Sequence, residues 1–132
     1  MIKLTIKTSR KEEVIDITDG VNGELKKHNV QNGICNLFLT HTTAALTTAD
    51  LDPGTDQDYL DAFEELVPKL SYRHPHDPSH TPDHILSSLI GTSLNIPIED
   101  RKLVLGTWQK VVLIEFDGPR ERTVVLNLLQ SS

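Results

Sequence analysis

The chain has 132 residues, 37% of them hydrophobic, and a formal net charge of −6, which is enough apolar content for one core and one domain spanning residues 1–132. With 13 Lys and Arg against 19 Asp and Glu and no basic block, nucleic acid and anionic membranes are excluded as dominant partners, since both are held by neutralising phosphates or headgroups. The lone Cys35 excludes an intrachain disulfide and a thiolate zinc cage, and no apolar run approaches the ~18 residues of a membrane span, so a cytoplasmic protein is expected.

In chain order, Ile2, Leu4 and Ile6 alternate with Lys3, Thr5 and Lys7, a strand with one wet face. Ser9 to Lys11 turns the chain and Glu13 to Thr18 returns, so an N-terminal hairpin is expected. Thr18 or Asp19 caps a helix through Val21, Leu25 and His28, and Asn32-Gly33 stops it. Gly33 to Thr40 is a short apolar strand that buries Cys35 and delivers His41 to its end. Thr47 to Asp52 reads as a connection. Asp52-Pro53, or Thr55 with Asp58 at capping-box spacing, opens a helix to Val67 with Leu60, Phe63, Leu66 and Val67 as its apolar stripe.

Lys69 to His80 is an irregular loop, and Thr81-Pro82 starts a helix with Thr81 as N-cap. That helix presents Ile85, Leu86, Leu89 and Ile90 as a core stripe, and His84, Ser87, Ser88 and Gly91 as a separate face of small or polar residues open to close approach. The last third is β: Leu94 to Ile98 with Pro97 suited to an edge, Lys102 to Leu105, Lys110 to Phe116, and Thr123 to Leu129. Strands outnumber helices and short turns join them. The expected fold is α+β, a mixed, largely antiparallel β-sheet with helices packed on one side.

Five of six histidines fall between Phe38 and Ile90: His41, His74, His76, His80 and His84. Three neutral imidazoles can hold zinc or a similar divalent ion and leave a further coordination position open. His41 at a strand end and His84 in the first turn of a helix have rigid anchors. The loop supplies the third ligand from His74 or His76, with His80 as a supporting or surface residue. His28 belongs to a solvated helix end.

Trp108-Gln109 lies where a strand pauses beside Gly106. Glu115, flanked by Ile114 and Phe116, either emerges on a covered face, where it needs a partner, or marks a wet edge. A pair of Arg120 with Glu115 or Asp117, or anion binding by Arg120, would follow.

HTTAAL (His41 to Leu46), SYRH (Ser71 to His74), DHILSSLIGTSLNIPI (Asp83 to Ile98), LVLGTWQ (Leu103 to Gln109) and EFDGPR (Glu115 to Arg120) together resemble, in order, the signature blocks of the YjbQ family, the secondary thiamine-phosphate synthase-like proteins. The resemblance implies an α+β fold, a homotrimer, and His41, His74 and His84 as ligands of a divalent ion, zinc first, with nickel, manganese or magnesium as alternatives. It implies a transferase joining a pyrimidine methyl diphosphate to a thiazole phosphate with release of pyrophosphate. The alternatives are a metal-dependent hydrolase using a metal-bound water and a non-catalytic metal-binding protein. Gln109, Glu115 and Arg120 are the candidate catalytic residues; Thr42, Ser88 and Trp108 are the candidate contacts to a small phosphorylated molecule. TTADLDPGTD departs from the family pattern, leaving Asp50 and Asp52 as stand-ins for an acid.

Overall fold

A computed structural model describes residues 1–131. In chain order the elements are β1 (Ile2–Lys7), β2 (Glu13–Asp16), α1 (Thr18–Lys27), β3 (Gly33–Leu39), β4 (Ala44–Ala49), α2 (Thr55–Leu66), a 3-10 turn (Pro78–His80), α3 (Thr81–Ile90), β5 (Ser93–Glu99), β6 (Lys102–Leu103), β7 (Lys110–Glu115) and β8 (Glu121–Gln130). The α+β class expected from the sequence is what forms. Its strands divide into two sheets, a five-stranded one in the order β1-β8-β3-β5-β6 and a three-stranded one in the order β2-β7-β4, with antiparallel pairing throughout.

Side-chain alternation turns these sheets into layers. Cys35, Leu37 and Leu39 of β3, Ile96 and Ile98 of β5, and Val124 and Leu126 of β8 face Leu46, Val111 and Leu113 of the smaller sheet across one core, to which α1 adds Val21 and Leu25. The opposite face of the smaller sheet carries Ala45, Val112, Ile114 and Phe116, covered by Leu60 and Val67 of the α2 region and Leu86 of α3. Both faces of β7 are therefore buried, which is why its sequence is an unbroken apolar run up to Glu115. Cys35 is fully buried, and burial pushes its thiol up to about 11.

Several local expectations are corrected. The first two strands are no hairpin: β1 pairs with β8 and β2 with β7, so the chain crosses between sheets through Thr8 to Glu12. Ala44–Ala49 is a strand paired to β7, where Thr47 to Asp52 was expected as a connection; its Ala and Thr residues carry too little hydrophobic contrast to announce it. Thr18 does not cap α1, because its hydroxyl accepts from the Val111 N–H at 2.9 Å. At α2 the N-cap is Gly54 at φ 91°, with no capping side chain, and Leu66 faces solvent. The chain enters α3 from the 3-10 turn, which Asp77 caps by accepting from Ser79 N–H, so Thr81 does not serve as the cap.

The largest correction concerns the face that α3 buries. Of the expected stripe, Leu86 and Ile90 pack on the smaller sheet while Ile85 and Leu89 are exposed, and of the small polar face Ser87 is buried while Ser88 is exposed. Ser87 Oγ donates to Ala44 O at 2.6 Å, His84 Nδ1 meets Thr42 O at 3.0 Å, and Leu46 N–H donates to Gly91 O at 2.9 Å. The close approach that face permits is to β4, and it fixes His84 against the segment leading out of His41.

Candidate functional site

The site rests on a buried ion pair at one end of the core between the sheets. Glu115 continues the inward parity of Val111 and Leu113 on β7, and Arg122 continues that of Val124 and Leu126 on β8, so both charged side chains face the space between the layers. Arg122 Nε donates to Glu115 Oε1 at 2.9 Å and its Nη2 to Oε2; Nη2 also reaches Thr43 O at 3.1 Å and Thr43 Oγ1 at 2.8 Å. Thr8 Oγ donates to Glu115 Oε1 at 2.8 Å, and Asp117 N–H donates to Oε2 at 3.1 Å. Burial alone would push the Glu115 carboxyl up, but the bonds from Arg122, Asp117 N–H and Thr8 outweigh it and hold the carboxyl below its ordinary value. Glu115 is thus on a covered face with a partner, and the partner is Arg122. Arg120 pairs with Asp117 instead, Nη2 to Oδ2 at 2.8 Å.

Above this pair opens a cavity of about 420 Å³ lined by His41, His74, His80 and His84 together with Asp117, Arg120 and Arg122. Each imidazole is held differently. His41 Nε2 accepts from Thr123 N–H at 2.8 Å, so in the neutral ring Nδ1 carries the proton. Burial, then the Arg122 charge, depresses the pKa of His41 and keeps it neutral. Because a carbonyl oxygen only accepts, the contact of His84 Nδ1 with Thr42 O fixes the proton on Nδ1 and leaves Nε2 with a free lone pair. His74 stacks on His84 with ring centroids 4.9 Å apart and planes 17° from parallel, and its buried Nδ1 has no hydrogen-bond partner.

His80, expected as a supporting or surface residue, stands partly exposed on the cavity wall among three carboxylates. Its Nε2 lies 3.1 Å from Asp77 Oδ2, and its Nδ1 lies 3.5 Å from Asp83 Oδ2 and 3.4 Å from Asp117 Oδ2. Among the described residues, the set whose donor atoms gather at metal-ligand spacing is His80, Asp83 and Asp117.

Of the candidates read from the sequence, His41, His74, His84, Thr42 and Arg120 line this cavity. Ser88 lines a neighbouring one with Thr42 and His41. Glu115 is buried behind the cavity. Trp108 is 70% exposed, outside either cavity, and Gln109 is turned away to Thr48 Oγ and Gly106 N–H at 3.1 and 2.9 Å. His76 is exposed at φ 72°, which leaves His74 as the loop histidine in the cavity. Asp50 and Asp52 do not line it, and His28 pairs with Glu24 on α1. Sequence reasoning missed Arg122 and Thr8; the parity of Arg122 with Val124 and Leu126 was the available signal.

Two packed antiparallel sheets, helices over the smaller one, and an imidazole-lined cavity at the end of their shared core define a class of small α+β proteins. The family described as UPF0047 protein YjbQ-like matches residues 2–131, and the chain belongs to that family. It is 38% identical to a UPF0047 protein of Archaeoglobus fulgidus over 97% of this chain and 100% of the relative. It is 36% identical to UPF0047 protein YugU of Bacillus subtilis over 96% of each chain. Among solved structures, a YjbQ/UPF0047 family protein of Clostridium acetobutylicum superposes with a TM-score of 0.88 at 39% identity, covering 98% of this chain and 100% of that one. A YbjQ-like protein of unknown function from Sulfolobus solfataricus gives 0.90 at 34% identity, covering 98% and 96%. No helix among the described residues is long and apolar enough to cross a membrane.

Proposed function

We propose that the protein is a cytoplasmic, divalent-metal-dependent enzyme acting on a small phosphorylated molecule in the cavity above the Glu115–Arg122 pair. The observation that carries this reading is the gathering of four imidazoles and two guanidinium groups on one open wall. His84 Nε2 has its lone pair free and His74 Nδ1 is a buried nitrogen without a partner, so the residues present fit an ion. His41 would complete the set through Nε2, the atom that accepts from Thr123 N–H here. Zinc suits three imidazoles best, with nickel, manganese or magnesium as alternatives.

When bound, the ion would supply charge neutralisation at the departing diphosphate. Arg120, half exposed and oriented by Asp117, is the cation available to an anionic oxygen, and Thr42 and Ser88 offer hydroxyls on the adjoining rim. The reaction that suits these parts and the family likeness is transfer of a pyrimidine methyl group from its diphosphate to a thiazole phosphate. The test is pyrophosphate release from those two substrates by zinc-loaded protein, with Arg120→Gln lowering it at least tenfold. Zinc retained at about one ion per chain without pyrophosphate release identifies a metal-binding protein instead.

We also propose that three copies assemble. On the outer face of the five-stranded sheet, Ile34, Phe38 and Leu129 are 45%, 47% and 61% exposed, an apolar set that association would cover. Light scattering that reports a monomer at micromolar concentration rejects the trimer.

A further inference from the structure

We propose that Trp108 of one copy of the chain seats in the cavity bounded by Phe38, Ser88 and Gly91 of a neighbouring copy, and so completes the wall of the site beside His41. This contact rests on the assembly proposed above and names the residues that join one copy to the next. Trp108 is 70% exposed, yet its turn is fixed. Gly106 N–H donates to Gln109 Oε1 at 2.9 Å, Gln109 N–H donates to Gly106 O at 3.1 Å, and Gln109 Nε2 donates to Thr48 Oγ at 3.1 Å, which pins the turn to β4. An indole held out on a fixed turn loses little freedom when it is covered, and Trp is prominent among the side chains that anchor protein interfaces.

The receiving cavity suits a ring. It holds about 390 Å³ between the end of β3 and the second half of α3, within the ~300–1,000 Å³ of cavities that take up ring-sized groups. Phe38 gives it an aromatic wall, and Ser88 and Gly91 lack the bulk to keep a second ring away. The indole N–H, which can only donate, finds acceptor hydroxyls there on Thr40, Thr42 and Thr92.

Charge agrees with this pairing. The six residues from Val104 to Gln109 carry none, and the lining of the cavity carries none apart from the His41 imidazole, in a chain of which 24% of residues are charged. Neither surface has an ion to strip of water, which is the composition of an interface centre. Phe38 also belongs to the uncovered apolar set of the five-stranded sheet. Its cross-strand neighbours Val125 and Ser93, and the next row of Asn127, Asn36 and Asn95, are uncharged too, so one uncharged surface runs from the cavity onto the open sheet face.

Position selects a second copy as the source of the ring. Ala44 pairs with Glu115 beneath the histidine cavity, whereas Ala49 pairs with Lys110, two residues past Trp108. The step from Ala44 to Ala49 spans roughly 17 Å at ~3.3–3.4 Å per residue, so Trp108 and the cavity lie toward opposite ends of β4. A projecting ring at one end and its seat toward the other join copies head to tail, and such contacts close into rings. Because the receiving cavity shares Thr40, His41 and Thr42 with the histidine cavity, the neighbour's indole covers one flank of His41 and keeps water from it.

Trp108 is the sole tryptophan, so its fluorescence reads the contact directly. Acrylamide quenching and light scattering are measured side by side, at micromolar concentration and on dilution, for wild type, Ser88→Arg and Trp108→Ala. Both substitutions fall at exposed positions, and circular dichroism melts confirm that each variant is folded. In assembled wild type the quenching constant should be several-fold below that of the urea-unfolded chain, and it should rise as dilution separates the copies. Ser88→Arg, whose side chain fills the cavity, should be quenched close to the unfolded value. Adding an excess of Trp108→Ala, which keeps the cavity but has no indole, should restore protection to Ser88→Arg. Assembled wild type quenched like the unfolded chain, protection that survives in Ser88→Arg, or no rescue by Trp108→Ala overturns the contact. Where scattering still reports three copies in those cases, assembly through the sheet face stands and only the Trp108 contact is lost; a monomeric wild type rejects both.

Discussion

Arg122 and Glu115 are 1% and 0% exposed and face each other across the seam between the two sheets, each meeting both ends of the other's charged group. Two ions taken out of water cost several kcal/mol apiece, and the pair persists because Thr8, Thr43 and Asp117 N–H satisfy the remaining atoms. Removing one member strands the other. Arg122→Met should therefore lower unfolding free energy by about 3–5 kcal/mol, and Glu115→Gln by a comparable amount. The double variant should lose less than the sum of the two, because it leaves no lone charge. Urea unfolding of the four proteins measures the cycle, and additive losses would reject the coupling.

Acid should unfold the protein through the same pair. The folded Glu115 carboxyl is held below its ordinary 4.5, so the unfolded chain takes up the proton first as pH falls. Its stabilisation is complete above that value and is lost as pH drops from 4.5 through the lower folded pKa. His41 behaves alike at a higher window: its pKa is depressed below 6.5, so stability declines as pH falls from 6.5 through the folded value. Asp83, raised by burial, opposes both by gaining its proton earlier in the folded chain. Urea midpoints between pH 7 and 3 should show the decline, and Glu115→Gln should remove its lower part.

How much of this could be read from residues alone differs by element. The alternation of β1, the apolar run of β7 and the Pro-started α3 were legible because local pattern and burial agree there. The partition into two sheets was not: alternation tells which face of a strand is buried but not which strand lies beside it, so β1 and β2 read as neighbours. The four imidazoles of the cavity were legible as members of a dense histidine run. The carboxylates around His80 were not legible, because Asp77 and Asp83 lie three residues to either side, a spacing that reads as an ordinary turn, while Asp117 arrives from the far end of the chain. Trp108 was taken from its place in the LVLGTWQ block, and a block does not say which way a side chain faces.

Gly118 marks the tightest point of the support beneath the cavity. A Cβ there would lie 2.3 Å from Arg10 O, 2.8 Å from Thr8 Oγ and 2.9 Å from Glu115 Cγ. The first of these is backbone and cannot rotate away. Gly118→Ala should cost about 1–3 kcal/mol and disturb the Thr8 bond to Glu115. Thermal melting compared with Gly23→Ala, where a Cβ meets nothing within 4 Å, gives the control, and equal melting points would reject the contact.

Cys35 should be inert. Full burial and a thiol pushed up to about 11 leave almost no thiolate at pH 8. Iodoacetamide should label the native chain at least tenfold more slowly than the urea-unfolded chain, as followed by mass spectrometry.

Zinc titration of single variants decides which imidazoles matter. His84 is anchored by α3 and by Thr42 O, with Nε2 left free; His74 comes from a loop but stacks on His84 with a partnerless Nδ1; His41 must first release Thr123 N–H. The cost of that exchange falls on His41 alone, so the order of dependence is set by geometry. His84→Ala should abolish zinc binding, and His74→Ala should weaken it about 10-fold or more, since metal sites tolerate little displacement of their ligands. His41→Ala should weaken binding least of the three while unfolding midpoints shift little. His28→Ala, on the far pair with Glu24, should leave binding unchanged. Calorimetry at pH 7 reads all four. Zinc retained at full affinity by His84→Ala would remove the stacked pair from the site.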